Sequence, residues 1–361
     1  MEKNKIVLLS KLSGYTSFSS LYSVKHAFNT QKVGHTGTLD SFAQGLLVVC
    51  TGSLTKIAGK ITEFNKVYEA VLKFGEETDT LECTGKIIKK TELPLLSDLK
   101  NALEKFKGEL FQVPPLYSAI HVDGKRASDV ARSGKIVELA KRKITVFDSE
   151  LLETSLTPSD RVSEARIKFS VSKGTYIRSL ARDIAEVCNS SATLYGLYRK
   201  SVGNFNAEDS AGFSLLKEFS IKSALENARK LQDFQNKTIL REQKLLNDGL
   251  PKKAWKYDEE LLNIKKSFFH YDEKLFEQEI IKKSLDFTPE LSSLCGFGNL
   301  ILQKESEKSF KNGMKLHSSM FTSSPFSIEQ EIASVFDSEN RFLGLLQKDE
   351  NGYFKYSFVI N

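Results

Sequence analysis

The chain has 361 residues, 40% hydrophobic and 27% charged, with 7 prolines, a composition too apolar and too balanced for a disordered protein and long enough for two or three domains. Its apolar runs, such as Leu46 to Cys50, fall far short of the roughly 20 residues a membrane helix needs, and no secretory leader pattern opens it, so a cytoplasmic protein is expected. The net charge of +6 is unevenly placed: residues 1–205 hold 30 Lys and Arg against 22 Asp and Glu, the remainder 22 against 24, which makes nucleic acid a candidate partner of the first part.

From the N-terminus, NKIVLLSK is rich in strand formers and SSLYSVKHAFN follows with apolar residues at helical spacing behind serine caps, so a strand and then a helix open the fold. Next comes KVGHTGTLDSFAQGLL, Lys32 to Leu47, with glycines at 34, 37 and 45 around a single acid, Asp40. Taken alone it reads as a tight loop capped by its aspartate, and the GK[ST] ending of a P-loop is missing. VYEAVLKFG alternates as a strand, EETDTLECTG supplies turn residues and KIIKK is a second strand-forming run, which predicts a hairpin or meander. SDLKNALEKFKGEL, with Leu99, Leu103, Phe106 and Leu110 on one stripe, predicts an amphipathic helix. RKITVFDSELLE and EARIKFSVSKG read as strands, and YIRSLARDIAEVC as a helix after a glycine turn. Strands and helices mix without regular βαβ alternation, which predicts an α+β fold with a mixed, largely antiparallel sheet.

Beyond about Phe205 the pattern changes. Residues 214–235 read as helical, 252–311 are rich in Lys, Glu and Phe with weak periodicity, and HSSMFTSSPFS is loop material. RFLGLLQKDENGYFKYSFVI sets Asn351-Gly352 between two strand-forming runs, a hairpin signal. The expected division is a catalytic domain over 1–212, a helical linker over 213–240, and a small β-rich module over 241–361 carrying a charged insertion at about 252–311. Cys50, Cys83, Cys188 and Cys295 stand far apart, with no CxxC pair and no histidine at ligand spacing, and read as buried reduced thiols rather than a zinc site or disulfide frame.

Three segments bring chemistry-bearing residues: GHTGTLD, the strand with Tyr68, and VSKGTYIRSLARDI with Lys173, Tyr176 and Arg178. Each has an ordinary structural explanation by itself. Joined by AQGLL, by Gly52, Thr55 and Lys56, and by YEA ahead of GEETDT, PPLYSA, GKR, ARSG and SKGTYIR, in this order over residues 6–205, they resemble the TruB family of pseudouridine synthases. The resemblance implies a catalytic domain of pseudouridine-synthase type, isomerisation of uridine 55 in the TΨC arm of tRNA, no cofactor, no metal, tRNA as partner and a monomer. The reaction breaks an N–C glycosidic bond, turns the base and rejoins it through C5 to the same sugar. It needs no redox partner or group donor, only a well-placed carboxylate.

By the same resemblance Asp40 is that carboxylate, Tyr68 stacks on the target base, Tyr176 approaches the base or sugar, and Leu197 in YGLYRKSVG closes an apolar wall. Arg178, always charged, is the expected cation beside Asp40. The uridine must leave its stack first, at a cost of a few kcal/mol, and His35 fills the vacancy in the RNA or else serves the loop structurally. Lys11 in LLSKLSG supports the loop or contacts phosphate. The chain departs from the family with Ser41 after Asp40 and Leu12 after Lys11 in place of prolines, His121 in place of lysine and Ser128 in place of tyrosine. REQKLLNDGLPKK and the terminal hairpin resemble the ends of a PUA-type RNA-binding barrel, implying a diverged PUA-like module, with an unrelated extension as the alternative. The competing functions are a non-catalytic tRNA-binding or tRNA-folding protein on the same scaffold and an RNA-guided isomerase. RNA binding alone does not demand a buried acid, and no long lysine-rich tail is present.

Overall fold

The computed structural model describes residues 4–118, 121–122, 125–126, 139–251, 255, 258–268 and 271–360. Ser128 and the ARSG motif lie outside the described residues, as does the side chain of His121. The first half runs β1 (Ile6–Lys11), α1 (Leu21–Ala27), β2 (Val33–His35), β3 (Gln44–Thr51), α2 (Ala58–Thr62), β4 (Lys66–Phe74), β5 (Glu76–Thr78), β6 (Ile87–Lys90) and α3 (Leu96–Lys105). It continues through β7 (Gly108–Gln112), β8 (His121–Val122), β9 (Lys125–Arg126), β10 (Arg142–Leu156), β11 (Val162–Val171), α4 (Ile177–Val187), β12 (Ala192–Val202) and β13 (Phe205–Asn206). The remainder comprises α5 (Ile221–Asn247), α6 (Glu259–Phe268), α7 (Glu273–Lys283), α8 (Pro289–Leu294), β14 (Gly298–Ile301), α9 (Glu307–Lys311), β15 (Ile332–Phe336), β16 (Phe342–Lys348) and β17 (Phe354–Val359).

The main sheet has the order β1-β3-β12-β4-β11-β10-β7, with β2 added to β3 and β13 to β12. Every pairing in it is antiparallel except β3 with β12, so the expected α+β class with a mixed, largely antiparallel sheet holds. The parallel pair sets Gly45 beside Arg199. At Gly45 φ is +111°, and a Cβ there would stand 2.4 Å from the Arg199 carbonyl oxygen, so only glycine lets the two strands meet. A second, four-stranded sheet, β14-β15-β16-β17, closes the chain.

One face of the main sheet packs on α3 and α4. Leu99, Ala102 and Leu103 of α3 and Leu180, Ala181 and Ile184 of α4 are buried with Ala70, Leu72, Ile167 and Phe169 from the strands. Each fully buried leucine or phenylalanine on this face contributes about 1.5–3 kcal/mol. On the other face Val71 packs against Ile221 and Ala224 of α5. The two sheets share a buried cluster, Ile6, Leu46 and Val48 of the first with Phe336 and Leu345 of the second, and Lys5 pairs with Asp286 and Ile6 bridges Leu285 in the segment between α7 and α8.

Four local readings change. KIIKK does not pair with the strand that starts at Val67; β6 pairs with β5, the EET of the expected turn, while β4 takes β11 and β12 as neighbours. Leu110 leaves the amphipathic stripe of α3 because the chain turns at Gly108, φ +97°, and enters β7. The helix read over 214–235 spans Ile221–Asn247, opened by a Ser220 capping box. The described part of 252–311 forms α6, α7, α8, α9 and β14 rather than unpatterned chain. Among the described residues no helix is long and apolar enough to cross a membrane.

Candidate active site

The loop between β2 and β3 is held through its own backbone groups, by other backbone groups and by side chains from outside the loop. Thr36 N–H donates to the Val48 carbonyl at 2.9 Å, and Leu39 is caught by Ser17, whose hydroxyl oxygen accepts from its N–H at 2.8 Å and donates to its carbonyl at 2.9 Å. Past Asp40 the Ser41 carbonyl accepts from Gly14 N–H at 2.7 Å and from Lys11 Nζ at 3.2 Å. The loop is thus pinned on both sides of Asp40 without the proline that the family carries at position 41.

Lys11 is fully buried, and its ammonium also donates to the carbonyls of Leu12 at 3.2 Å and Ala43 at 2.6 Å. Burial pulls its pKa down to about 7, with Asp40 opposing and Arg199 adding. This corrects the phosphate-contact expectation: with no exposed surface and three carbonyl acceptors, Lys11 braces the loop from beneath. Arg199, also fully buried, does the same from β12, donating to the carbonyls of Leu46 at 2.7 Å and Gly37 at 3.1 Å.

Asp40 meets Arg178, which opens α4. Nη2 donates to Oδ1 at 3.0 Å, and Nε lies 2.9 Å from Oδ2 as an ion-pair contact without hydrogen-bond alignment, so the guanidinium faces both carboxylate oxygens. The Arg178 side chain is 4% exposed and that of Asp40 30%, so the pair closes at its base and opens at its rim. Arg178 also donates to the carbonyls of Thr80 at 2.9 Å and Tyr117 at 3.0 Å, joining three loops at one guanidinium.

Tyr176 caps α4. Gln112 of β7 clasps its backbone at both ends, accepting from its N–H at 2.9 Å and donating to its carbonyl at 3.1 Å. Burial raises the phenol pKa, with the Asp40 charge adding and Arg142 and Arg178 opposing, so the phenol stands within the field of the Asp40 pair. Tyr68 and Leu197 are buried in one cluster with Leu39 and Phe42, directly behind the loop. Tyr68 is only 8% exposed. His35 lies on β2 at the entry to the loop, half-buried with an unpartnered Nδ1; burial, and secondly Arg199, lowers its pKa, which keeps it neutral near pH 7. The structure therefore joins Asp40 to Arg178, sets Tyr176 within the field of that pair, and buries Tyr68 and Leu197 in the cluster that holds Leu39 and Phe42 of the same loop, with Lys11 bonded to the loop carbonyls and His35 at its start.

Two residues of this site escaped the sequence reading. Arg199 could be found as the lone cation among the buried positions of β12, between Leu197 and Val202. Glu82 sat in a stretch read as a turn. Burial raises its pKa to about 7, the Asp40 charge adding and Arg178 opposing, and its carboxylate accepts from Thr84 Oγ1 at 2.9 Å. Its raised pKa has a stability consequence. The contribution of the protonated carboxyl is complete below about 4.5, declines as pH rises and is gone above about 7. Glu82→Gln removes that loss. Its melting temperature relative to the parent is expected to climb between pH 5 and 7 and level off above, by the equivalent of about 1–3 kcal/mol; a difference independent of pH would contradict this placement of Glu82.

Comparison with known proteins supplies the deciding observation. The chain is 38% identical over 355 residues to the tRNA pseudouridine synthase B of Treponema denticola, covering 94% of this chain and 91% of that one. The chain belongs to the TruB family of pseudouridylate synthases. The family model for the TruB pseudouridylate synthase N-terminal domain matches residues 25–177, which include Asp40, Tyr68 and Tyr176 and stop one residue short of Arg178. A second TruB relative, the tRNA pseudouridine synthase B of Borreliella burgdorferi, is 42% identical over 234 residues, covering 64% of this chain and 80% of its own. Among solved structures, a chain of a Cbf5-Nop10-Gar1 complex superposes with a TM-score of 0.59 at 18% identity, over 98% of this chain and 84% of that chain. A chain of an H/ACA RNP bound to a substrate RNA gives 0.57 at 15%, over 99% and 85%; both share the fold seen here.

Proposed function

We propose that the protein converts uridine 55 in the TΨC arm of tRNA to pseudouridine, with Asp40 as the essential carboxylate. The forked Asp40–Arg178 pair at the floor of an opening carries this reading. A carboxylate faced at both oxygens by one guanidinium has a fixed direction, and its partly open rim faces the space a flipped uridine would enter. There Asp40 touches the sugar or the base of the detached intermediate, and the same base returns to the same sugar through C5, so no atom is gained or lost overall. Tyr176 flanks the reacting ring, Tyr68 and Leu197 form its apolar floor, and neutral His35 takes the vacated place in the RNA stack. Arg178 orients Asp40 and does not leave it during the reaction. Close relatives bearing the name tRNA pseudouridine synthase B support tRNA as the substrate.

In this reading residues 1–212 are the catalytic domain, 213–240 a helical link, and 241–361 a diverged PUA-like module that extends the RNA-binding surface of a monomer. The test is to incubate the protein with unmodified tRNA transcript and with the same transcript carrying cytidine at position 55, then map pseudouridine by carbodiimide treatment and primer extension. One stop at position 55 is expected in the first transcript and none in the second. Modification elsewhere, or none in either, contradicts the assignment, and tight binding without modification indicates a tRNA-binding protein.

A further inference from the structure

We propose that α5 is a positioning element for the reaction, its Asn227 and Gln232 holding the loop of Asp40 and the loop of Glu82 at a fixed separation; this rests on the reading of Asp40 as the catalytic carboxylate. Asn227 Nδ2 donates to Ser13 Oγ at 2.8 Å, and Ser13 Oγ donates in turn to the Phe42 carbonyl at 2.7 Å, two residues past Asp40. Five residues further along the helix, Gln232 Nε2 donates to the Cys83 carbonyl at 2.6 Å, next to Glu82. Five residues advance a helix by about 7.5 Å. A single rigid rod thus grips both acid-bearing loops, which have no strand pairing with each other among the described residues.

The rod is itself firmly seated. Its N-terminus is closed by the Ser220 capping box, and Ala224 stands so close to β12 that a Cβ at Gly196 would come within 2.6 Å of its own. Between the two amides Ala228 and Leu231 are buried in the cluster that contains Leu39, Phe42, Tyr68 and Leu197. Leu12, Ser13 and Phe42 border a cavity of about 530 Å³, whose far wall includes Asn227, Phe234 and Phe268. Leu39 and Phe42 anchor the loop in that cluster, and the Asn227–Ser13–Phe42 hydrogen bonds tie it to the helix beside the cavity as well. A shift of about 1 Å in a reacting group can cost about 100-fold in rate, so two short amide contacts that set the place of these loops are sufficient to matter.

The chemistry of the amides supplies the test. Asn227→Asp keeps the shape and removes the donor; the Ser13 hydroxyl then turns to the new carboxylate and releases the Phe42 carbonyl. Gln232→Glu likewise faces the Cys83 carbonyl with an acceptor. Each variant is expected to lower the single-turnover rate of pseudouridine formation on tRNA transcript about 10-fold, with Kd for the tRNA within about 2-fold of the parent. Ser13→Ala breaks the first relay from its other end, so combined with Asn227→Asp it should be no slower than the slower single variant. A purely structural role predicts full rates for the shape-conserving variants, or losses that follow melting temperature and Kd; either result overturns the proposal, as does additivity of Ser13→Ala with Asn227→Asp. Asp40→Asn, run alongside, separates the two claims. If it is inactive while Asn227→Asp and Gln232→Glu are fully active, only the positioning role falls; if it is active, the catalytic reading falls and the positioning role with it.

Discussion

Arg178→Met should leave a folded but nearly inactive protein, its single-turnover rate lowered by at least about 100-fold and its stability by about 3–5 kcal/mol. The parent guanidinium donates to one oxygen of Asp40, lies at ion-pair distance from the other, and donates to the carbonyls of Thr80 and Tyr117, all from a position only 4% exposed. Methionine fills much of the volume but leaves a carboxylate and two carbonyls without their donor, and an acid unpartnered at the floor of the site turns toward water or takes up a proton. Arg178→Lys sharpens the test. A lysine keeps the charge but cannot span the fork and both carbonyls from one ammonium, so it should restore most of the stability and little of the rate. Thermal unfolding and single-turnover assays on the same preparations check both statements. Equal recovery of rate and stability in the lysine variant would show that charge, not orientation, is what Asp40 requires.

Much of this fold is visible in local pattern. β11 alternates between buried and less buried positions as a half-buried strand does, β4 is buried along nearly its whole length as a central strand is, and α3 buries Leu99, Ala102 and Leu103 at the spacing of one helical face. Strand partners are a different matter. KIIKK lies next in line after β4 but pairs with EET, because β4 already has β11 on one edge and β12 on the other, and neither partner can be inferred from β4 itself. The helices within 252–311 were hidden for a related reason. α6 buries Leu261, and α7 buries only Phe276 and Ile280, so each presents a stripe too narrow to stand out among lysines and glutamates.

The candidate site divides in the same way. Asp40 and Arg178 sit in short motif segments and can be named from them, although 138 residues separate them and only the fold brings them into contact. Lys11 is named by its motif too, but nothing local says that it faces inward to three carbonyls rather than outward to phosphate. Glu82 and Arg199 owe their importance to what the folded chain stacks around them. A glutamate in a turn and an arginine in a strand are ordinary until one is found beside Asp40 and the other beneath its loop.

The largest loss is expected from Asp40→Asn. The side chain keeps its size and still offers one oxygen to Arg178, so tRNA affinity should change little, while the buried guanidinium loses its counter-charge and the melting temperature falls without loss of the fold. What disappears is the second carboxylate oxygen and the negative charge, the only features of residue 40 that can assist cleavage and re-formation of a glycosidic bond. The rate should fall by at least about 1000-fold. The direct measurement is a single-turnover reaction of enzyme in excess over unmodified tRNA transcript, scored for pseudouridine at position 55, with parent and Asp40→Asn proteins matched for tRNA binding. Near-complete conversion by the parent and none by Asp40→Asn over the same time is the predicted result; conversion by Asp40→Asn within about 10-fold of the parent rate would contradict the account.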